Sequence, residues 1–378
     1  MSDVLIVGDS YRNPEIRHEV PVGVPDPLLY VEHGDRRLAV VGSFEVDRVK
    51  EADSGLEVHA FERFGRDELQ AQGLNYHEIL REVSVRVCAE LGVTSAVVPP
   101  TFPLEVADRL RESGVEVRWD RPFFVARRRV KNDAELAGIR RSQRACEAAM
   151  DEARSLLRRA DRTNGVLRLE GEPLTCERLK VAVERVFSAH GVSSEDPIVS
   201  HGPQTAVGHD FGSGPIAPDE PIVLDLSPRD RSTGCYADMT RTFVVGTPPD
   251  ELVEYARLVK EALDRSIAEV RAGATGKHLF ELACEVFERH GYPTLRTKEQ
   301  GSVLAEGFYH SLGHGVGLEV HEEPSLGRVG DELLAGDVVT VEPGLYRPGF
   351  GGCRLEDLVL VTAEGAENLT DYPYDLAP

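Results

Sequence analysis

The stretch TCERLKVAVERVFSAHG (175–191) returns a hundred residues later as TGKHLFELACEVFERHG (275–291). Thr175 and Thr275, Leu179 and Leu279, Val186 and Val286, Phe187 and Phe287, His190 and His290, and Gly191 and Gly291 coincide at one constant offset, 275 − 175 = 100. Both copies carry apolar residues at helical spacing, and each follows another long helical stretch, 132–160 in the first case and 250–273 in the second. The first of these opens on Asn132 or Asp133 as its cap. Any two amphipathic helices look somewhat alike; shared Phe, His and Gly in a single register favour duplication over coincidence.

The likeness persists into strands. PIVLDLSP (221–228) is similar to DVVTVEPG (337–344), which sets Asp225 opposite Glu342. ADMTRTFVV (237–245) is similar to RLEDLVLVT (354–362), which sets Asp238 near Glu356. A repeated unit of helix, helix and strands implies two α+β halves related by a pseudo-two-fold axis. Ahead of it, residues 1–126 alternate strand-like runs (VLIVG at 4–8, PLLYVEHG at 27–34, RRLAVVGSF at 36–44, SAVVPP at 95–100, VEVRWD at 115–120) with helical ones at 76–92 and 104–114. The expectation is an α/β N-terminal domain, 1–126, and a duplicated α+β domain, 127–378. The basic run Arg127-Arg128-Arg129-Val130-Lys131 between them reads as a solvated hinge.

Acids at the ends of apolar strands carry the chemistry. Asp225 closes IVLD and Glu342 closes VVTVE, while Asp238 and Glu356 follow turns into apolar strands. Burying a carboxylate without compensation costs several kcal/mol, so four such acids need cations. Separate salt bridges to Arg229, Arg231, Arg241 and Arg354 would serve one acid more readily than all four. Divalent metal serves the whole set. Four carboxylates with one imidazole favour Mn²⁺ or Co²⁺, with Zn²⁺ also accommodated, over a thiolate zinc site. Two ions about 3.5–4 Å apart would share bridging carboxylates and hold a water that loses a proton near neutral pH, which makes hydrolysis the natural reaction.

HSLGHGVGLEVHEEP (310–324) offers His310, His314 and His321 for the imidazole. His314 lies between Gly313 and Gly315, where missing side chains let backbone pass close to a crowded centre. A zinc helix of the HExxH type does not fit: position 311 is Ser where the general-base Glu would stand, and Gly313, Gly315 and Gly317 would break the helix.

Taken in order, VLDLSPRDRSTGCYADMTRT (223–242), HSLGHGVGLEVHEEP, VTVEPG (339–344) and GGCRLEDLVLVT (351–362) resemble the M24 metallopeptidases, the Xaa-Pro dipeptidases (prolidases) and aminopeptidases P. The resemblance covers roughly 125–378 well and the N-terminal domain only in general character. It implies a "pita-bread" catalytic domain with a dinuclear metal centre on Asp225, Asp238, His314, Glu342 and Glu356. Asp238 and Glu356 would bridge the ions, Asp225 would hold one of them, and His314 and Glu342 the other. Glu342 would also handle the proton of the attacking water. His209, in VGHDFGSGPI (207–216), would contact substrate and support the tetrahedral intermediate, and His321 would donate to the developing negative charge. His310 would face a proline ring, and Arg354 would pair with a substrate carboxylate or a metal-bound acid. The substrates implied are proline-containing di- or oligopeptides, and the N-terminal domain would mediate a homodimer and wall one side of the site.

Three departures from the family pattern bear on substrate choice. The interval from Asp225 to Asp238 is two residues longer than in the commonest members, Leu-Ser-Pro follows Asp225 where a small residue and Gly are usual, and SHGPQTAVGHD (200–210) differs from the customary stretch before the substrate histidine. A creatinase-like hydrolase on the same fold would lack the full ligand set, a binding module without chemistry would show degenerate ligands, and methionine aminopeptidases usually lack such an N-terminal domain.

Composition excludes other classes. The formal charge of −22 disfavours nucleic acid and anionic lipid and reads as solubilising surface. Six scattered cysteines without CxxC pairing argue against a disulfide framework. There is no run of about 18 apolar residues to span a membrane, and MSDVLIVGDSYRN (1–13) lacks a basic leader, so a cytoplasmic protein is expected. Gly8-Asp9-Ser10 lacks a dinucleotide fingerprint, and GATGKH (273–278) lacks the upstream Gly and the Ser/Thr of a phosphate loop.

Overall fold

The computed structural model describes residues 3–378; Met1 and Ser2, the first residues of the stretch read against a leader, lie outside the described residues. The chain divides into two compact units, one running to Arg128 and including Ser232–Gly234, the other made of Arg129–Arg231 and Cys235–Pro378.

In the first unit, period-two alternation puts two apolar faces on one sheet. Six strands lie in the order Glu57–Ala60, Arg36–Val41, Leu28–His33, Asp3–Gly8, Ser95–Val98, Glu116–Trp119. The sheet is mixed, antiparallel at its centre and parallel towards both edges. Leu5, Val7, Leu29 and Val31 pack on one face against the helices Tyr76–Leu91 and Leu104–Glu112, while Val4, Ile6, Leu28 and Tyr30 pack on the other.

The second unit shows the duplication. Asn132 caps the helix Asp133–Arg159 through a reciprocal pairing with Glu135. The repeated helices are Cys176–Ala189 and Gly276–Arg289, with bounds again a hundred apart. Thr175 and Thr275 cap them, accepting from the backbone N–H of Arg178 and His278, and Gly191 and Gly291 follow them at positive φ, 72° and 83°. Each half has its own core, around Met150, Leu179, Phe187 and Leu224 in the first and Leu263, Phe280, Phe287 and Val339 in the second. A smaller cluster of Ile139, Ala237, Val316, Val338 and Leu358 joins them.

The sheets differ in one respect from the sequence reading. RLEDLVLVT is not one strand: Gly351–Arg354 ends before Glu356, and Asp357–Val361 begins after it. Glu342 likewise falls just beyond Val338–Val341, and Asp238 just ahead of Met239–Phe243. Only Asp225 lies inside its strand, Ile222–Leu226. Carboxylates at strand breaks escape the pleat's fixed alternation and turn towards one point.

The basic run is a correction. It is not a solvated hinge, because almost every cation in it is paired. Arg127 bonds Glu19 and Glu32, and Arg128 lies 3.8 Å from Glu15. Arg129 grips buried Asp337 at 3.0 Å, and Lys131 meets Glu322 at 2.6 Å with both side chains 3% exposed. Charge density in sequence concealed this, since the partners lie up to 208 residues away. All six cysteines are free and buried.

Candidate metal centre

Two strand pairs aim the acids. Ile222–Leu226 and Met239–Phe243 are antiparallel, with Asp225 across from Thr240. Val338–Val341 and Asp357–Val361 are antiparallel, with Val341 across from Asp357. The pairs are stitched together where the Glu356 N–H donates to the Thr240 carbonyl, 3.1 Å, and where Thr242 Oγ1 donates to the Arg354 carbonyl, 2.8 Å. Asp225, Asp238, His314, Glu342 and Glu356 consequently line one cavity of about 600 Å³ in the second unit.

His314 is presented by the short strand Gly313–Gly315. A Cβ on Gly313 would lie 2.1 Å from the Thr340 carbonyl oxygen, and one on Gly315 2.5 Å from that of Glu323. The flanking glycines therefore answer to neighbouring backbone, not to the crowding of the centre itself. The backbone N–H of His314 donates to Thr340 Oγ1, and Nδ1–H donates to the Gly315 carbonyl, 3.1 Å in each case. With Nδ1 carrying the proton, Nε2 presents a lone pair 3.6 Å from Glu342 and 3.9 Å from Asp238.

Electrostatics show what is missing from a purely protein account. Burial pushes Asp238 well above the usual carboxylate range, with Glu356 and Asp225 adding repulsion. Burial does the same for Glu356, joined by Glu342 and Asp225, and pushes Glu342 up to about 8. Burial pushes His314 down to about 4, so its imidazole is neutral. Arg354, the one guanidinium that lines this cavity among the described residues, donates to Asp225 at 2.6 Å and to Tyr346 OH at 3.0 Å. Arg241 bonds Asp357, the neighbour of Glu356, so the pairing that Arg354 makes serves Asp225 and not the whole set. Asp238 Oδ1 is buried with no hydrogen-bond partner among the described residues. An orphaned carboxylate oxygen, a free imidazole lone pair and clustered acids fit divalent cations: Asp238, His314 and Glu356 each offer a donor atom within 4.8 Å of the others.

The other expected residues gather at the same cavity. The His321 ring lies 4.2 Å from that of His314, its basicity lowered by burial and by His209. His209 lines the rim and is exposed. His310 donates from Nδ1 to the Ser311 carbonyl and accepts at Nε2 from Tyr346 OH, 2.9 Å, and burial brings it down to about 3. Sequence reading passed over Thr240 and Tyr346. Thr240 Oγ1 donates to Glu356 Oε2 at 2.7 Å and accepts from Arg354 Nε at 3.3 Å. Strand alternation from Asp238 would have found Thr240. Tyr346 had no signal beyond its nearness to Glu342.

The pattern of Metallopeptidase family M24 matches residues 137–363, more than half of the chain. Among curated proteins, the chain is 36% identical over 192 residues to the Xaa-Pro dipeptidase of Pyrococcus furiosus and 35% identical over 192 residues to that of Pyrococcus horikoshii. These matches take in 50% of this chain and span about half, 51%, of each relative's length. Among solved structures, it is similar to the Xaa-Pro dipeptidase from Bacillus anthracis, with a TM-score of 0.80, 25% identity, and 100% of this chain and 94% of that one covered. For the prolidase from Pyrococcus furiosus the values are 0.76, 25%, 99% and 97%. With matching halves, acids and imidazole already in place, the chain belongs to metallopeptidase family M24.

Proposed function

We propose that this protein is a metal-dependent peptidase that cleaves the bond between an N-terminal residue and proline. The observation that carries the reading is the convergence of four carboxylates and one neutral imidazole on one cavity, with a buried Asp238 oxygen that has no hydrogen-bond partner among the described residues. Intact donors favour this over a creatinase-like hydrolase or a binding module. The names of the relatives support the proline specificity.

Asp225, Asp238, His314, Glu342 and Glu356 would hold two divalent ions, with Mn²⁺ first and Co²⁺ or Zn²⁺ also accepted. When bound, such ions lower the pKa of water to near neutrality and polarise a carbonyl. Glu342 takes up the proton released by the attacking water and returns it to the proline nitrogen, which has no N–H of its own. His321 and His209 donate to the oxygen that gains negative charge. His310, its ring nitrogens engaged by Ser311 and Tyr346, offers an aromatic face to the proline ring. Arg354 holds the Asp225 carboxylate in place through its guanidinium hydrogen bond. The acidic cavity suits the substrate's α-ammonium. We further propose that the protein acts in the cytoplasm as a homodimer; no helix among the described residues is long and apolar enough to cross a membrane.

The test is to strip purified protein with chelator, reload it with Mn²⁺, Co²⁺ or Zn²⁺, and assay Ala-Pro, Ala-Pro-Ala and Met-Ala-Ala. Metal-dependent cleavage of one or both proline peptides is expected. Turnover of Ala-Pro alone marks a dipeptidase and of Ala-Pro-Ala an aminopeptidase P, whereas cleavage of Met-Ala-Ala alone, or full activity without metal, overturns the assignment.

A further inference from the structure

Behind the acids lies a second polar cluster that the chemistry above does not use. Along Met239–Phe243 the side chains alternate, so Thr240 meets Glu356 at the cavity while Arg241 points to the opposite side. There its guanidinium is 1% exposed and places all five of its N–H donors. Nη1 donates to the carbonyls of Thr240, 2.9 Å, and Glu356, 2.7 Å. Nη2 donates to Asp357 Oδ1, 2.9 Å, and to the Tyr372 carbonyl, 3.0 Å. Nε donates to the Pro373 carbonyl at 2.9 Å. The Tyr374 ring lies 4.6 Å from the guanidinium carbon. Asp357, wholly buried, also accepts from Asn368 Nδ2 at 2.7 Å and Tyr374 OH at 2.6 Å.

The segment supplying these groups crosses from one half to the other. Leu369 N–H donates to the Leu358 carbonyl in the second half. Asp371 N–H then donates to Glu147, Tyr372 OH to Asp151, and Val244 N–H to the Leu376 carbonyl, all in the first half. The one arginine thus touches the backbone of Thr240 and of Glu356, each half's contribution to the acid centre, and residues 369–376 lock it there.

We propose that Arg241, Asp357 and the segment 369–376 form a clasp that sets the distance between the acids of the two halves and so governs metal affinity from behind the cavity. Arg241 is on this account a positioning residue. Outer groups that orient ligands typically change metal affinity about 10–100-fold when removed. The inference rests on the metal-centre reading above.

Mn²⁺ binding to the full chain, measured by calorimetry after chelator treatment, tests it with Arg241→Lys, Tyr374→Phe and, as a comparison of stability alone, Thr175→Ala. Arg241→Lys keeps the charge but loses the fork, and about 10–100-fold weaker Mn²⁺ binding is expected. Tyr374→Phe removes only one donor to Asp357 and should shift affinity the same way by less. Thr175→Ala should lower the melting temperature without touching affinity. At saturating Mn²⁺, kcat for Ala-Pro should fall in the clasp variants while KM stays within about twofold. Wild-type affinity in both clasp variants, with only melting temperature reduced, overturns the clasp. Should Arg241→Lys not fold, unaltered Mn²⁺ affinity in Tyr374→Phe overturns it equally. Unaltered protein that takes up no divalent ion overturns the metal-centre reading instead.

Discussion

Asp238 is a buried carboxylate, repelled by Glu356, Asp225 and Glu342, with one oxygen bonded to nothing among the described residues. Asp238→Asn removes that charge and supplies an amide in its place. Metal affinity should fall by about 100-fold or more, since a ligand is lost outright. The chelated variant should nonetheless melt no lower than chelated wild type, because an amide is buried neutral without having to take up a proton. Metal titration and thermal melts with and without chelator check both halves of this expectation. At this scale the acids were legible because carboxylates at the ends of apolar strands violate the cost of burial. His314 was legible from its glycines, although the reason differed: Thr340 and Glu323 backbone excludes a Cβ. Tyr346 was not legible, since a tyrosine in an apolar stretch looks like core until Arg354 and His310 are seen at its hydroxyl. The Arg241–Asp357 pair was hidden for the same reason as the basic run, its partners being more than a hundred residues apart.

Among elements, the two repeated helices are a natural experiment in capping. Thr175 and Thr275 hold equivalent N-cap positions on helices of the same length, 14 residues. Thr175→Ala and Thr275→Ala should each cost about 1 kcal/mol, and the double variant should show their sum within about 0.5 kcal/mol, because the sites share no partner. Denaturant melts of the three variants measure this. The strand Gly313–Gly315 makes the opposite case, where nothing can be added. Gly313→Ala forces a methyl towards a carbonyl oxygen 2.1 Å away, and should cost about 1–3 kcal/mol or more while displacing His314. Loss of metal affinity beyond the loss of stability would show that displacement in calorimetry. The repeat made helix positions readable to within a residue or two. The end of the strand before Glu342 was readable from the Pro343-Gly344 that follows, whereas the break at Glu356 was not, since RLEDLVLVT carries no Gly or Pro and only pairing across the sheet reveals where Gly351–Arg354 stops and Asp357–Val361 starts.

At the scale of the whole molecule, two halves are folded together around like charges, so stability and pH must be linked. Glu342 stands at about 8 in the folded chain against an ordinary 4.5, and Asp238 and Glu356 are raised as well, burial being the main cause in all three. Between about pH 4.5 and 8 the folded metal-free chain therefore holds protons that the unfolded chain has released. From these acids, stability is greater at the acidic end of that window and is lost as pH rises through it, while His314 and His310, held down to about 4 and 3 by burial, offset part of that gain below about pH 6.5. Divalent ions reverse the sense, because they need deprotonated ligands and compete with protons for them. Chelated protein should melt higher at pH 6 than at pH 8, and added Mn²⁺ should raise the melting temperature more at pH 8. At a hundred times its dissociation constant the ion adds about 2.7 kcal/mol. His201 also contributes, since its hydrogen bond to Glu220 raises its pKa and that stability too is lost at higher pH. Glu342→Gln separates the two. With the acid neutralised, the chelated variant should lose much of the pH slope while His201 is untouched. A slope unchanged in Glu342→Gln would mean that the acid centre does not store the protons its burial implies.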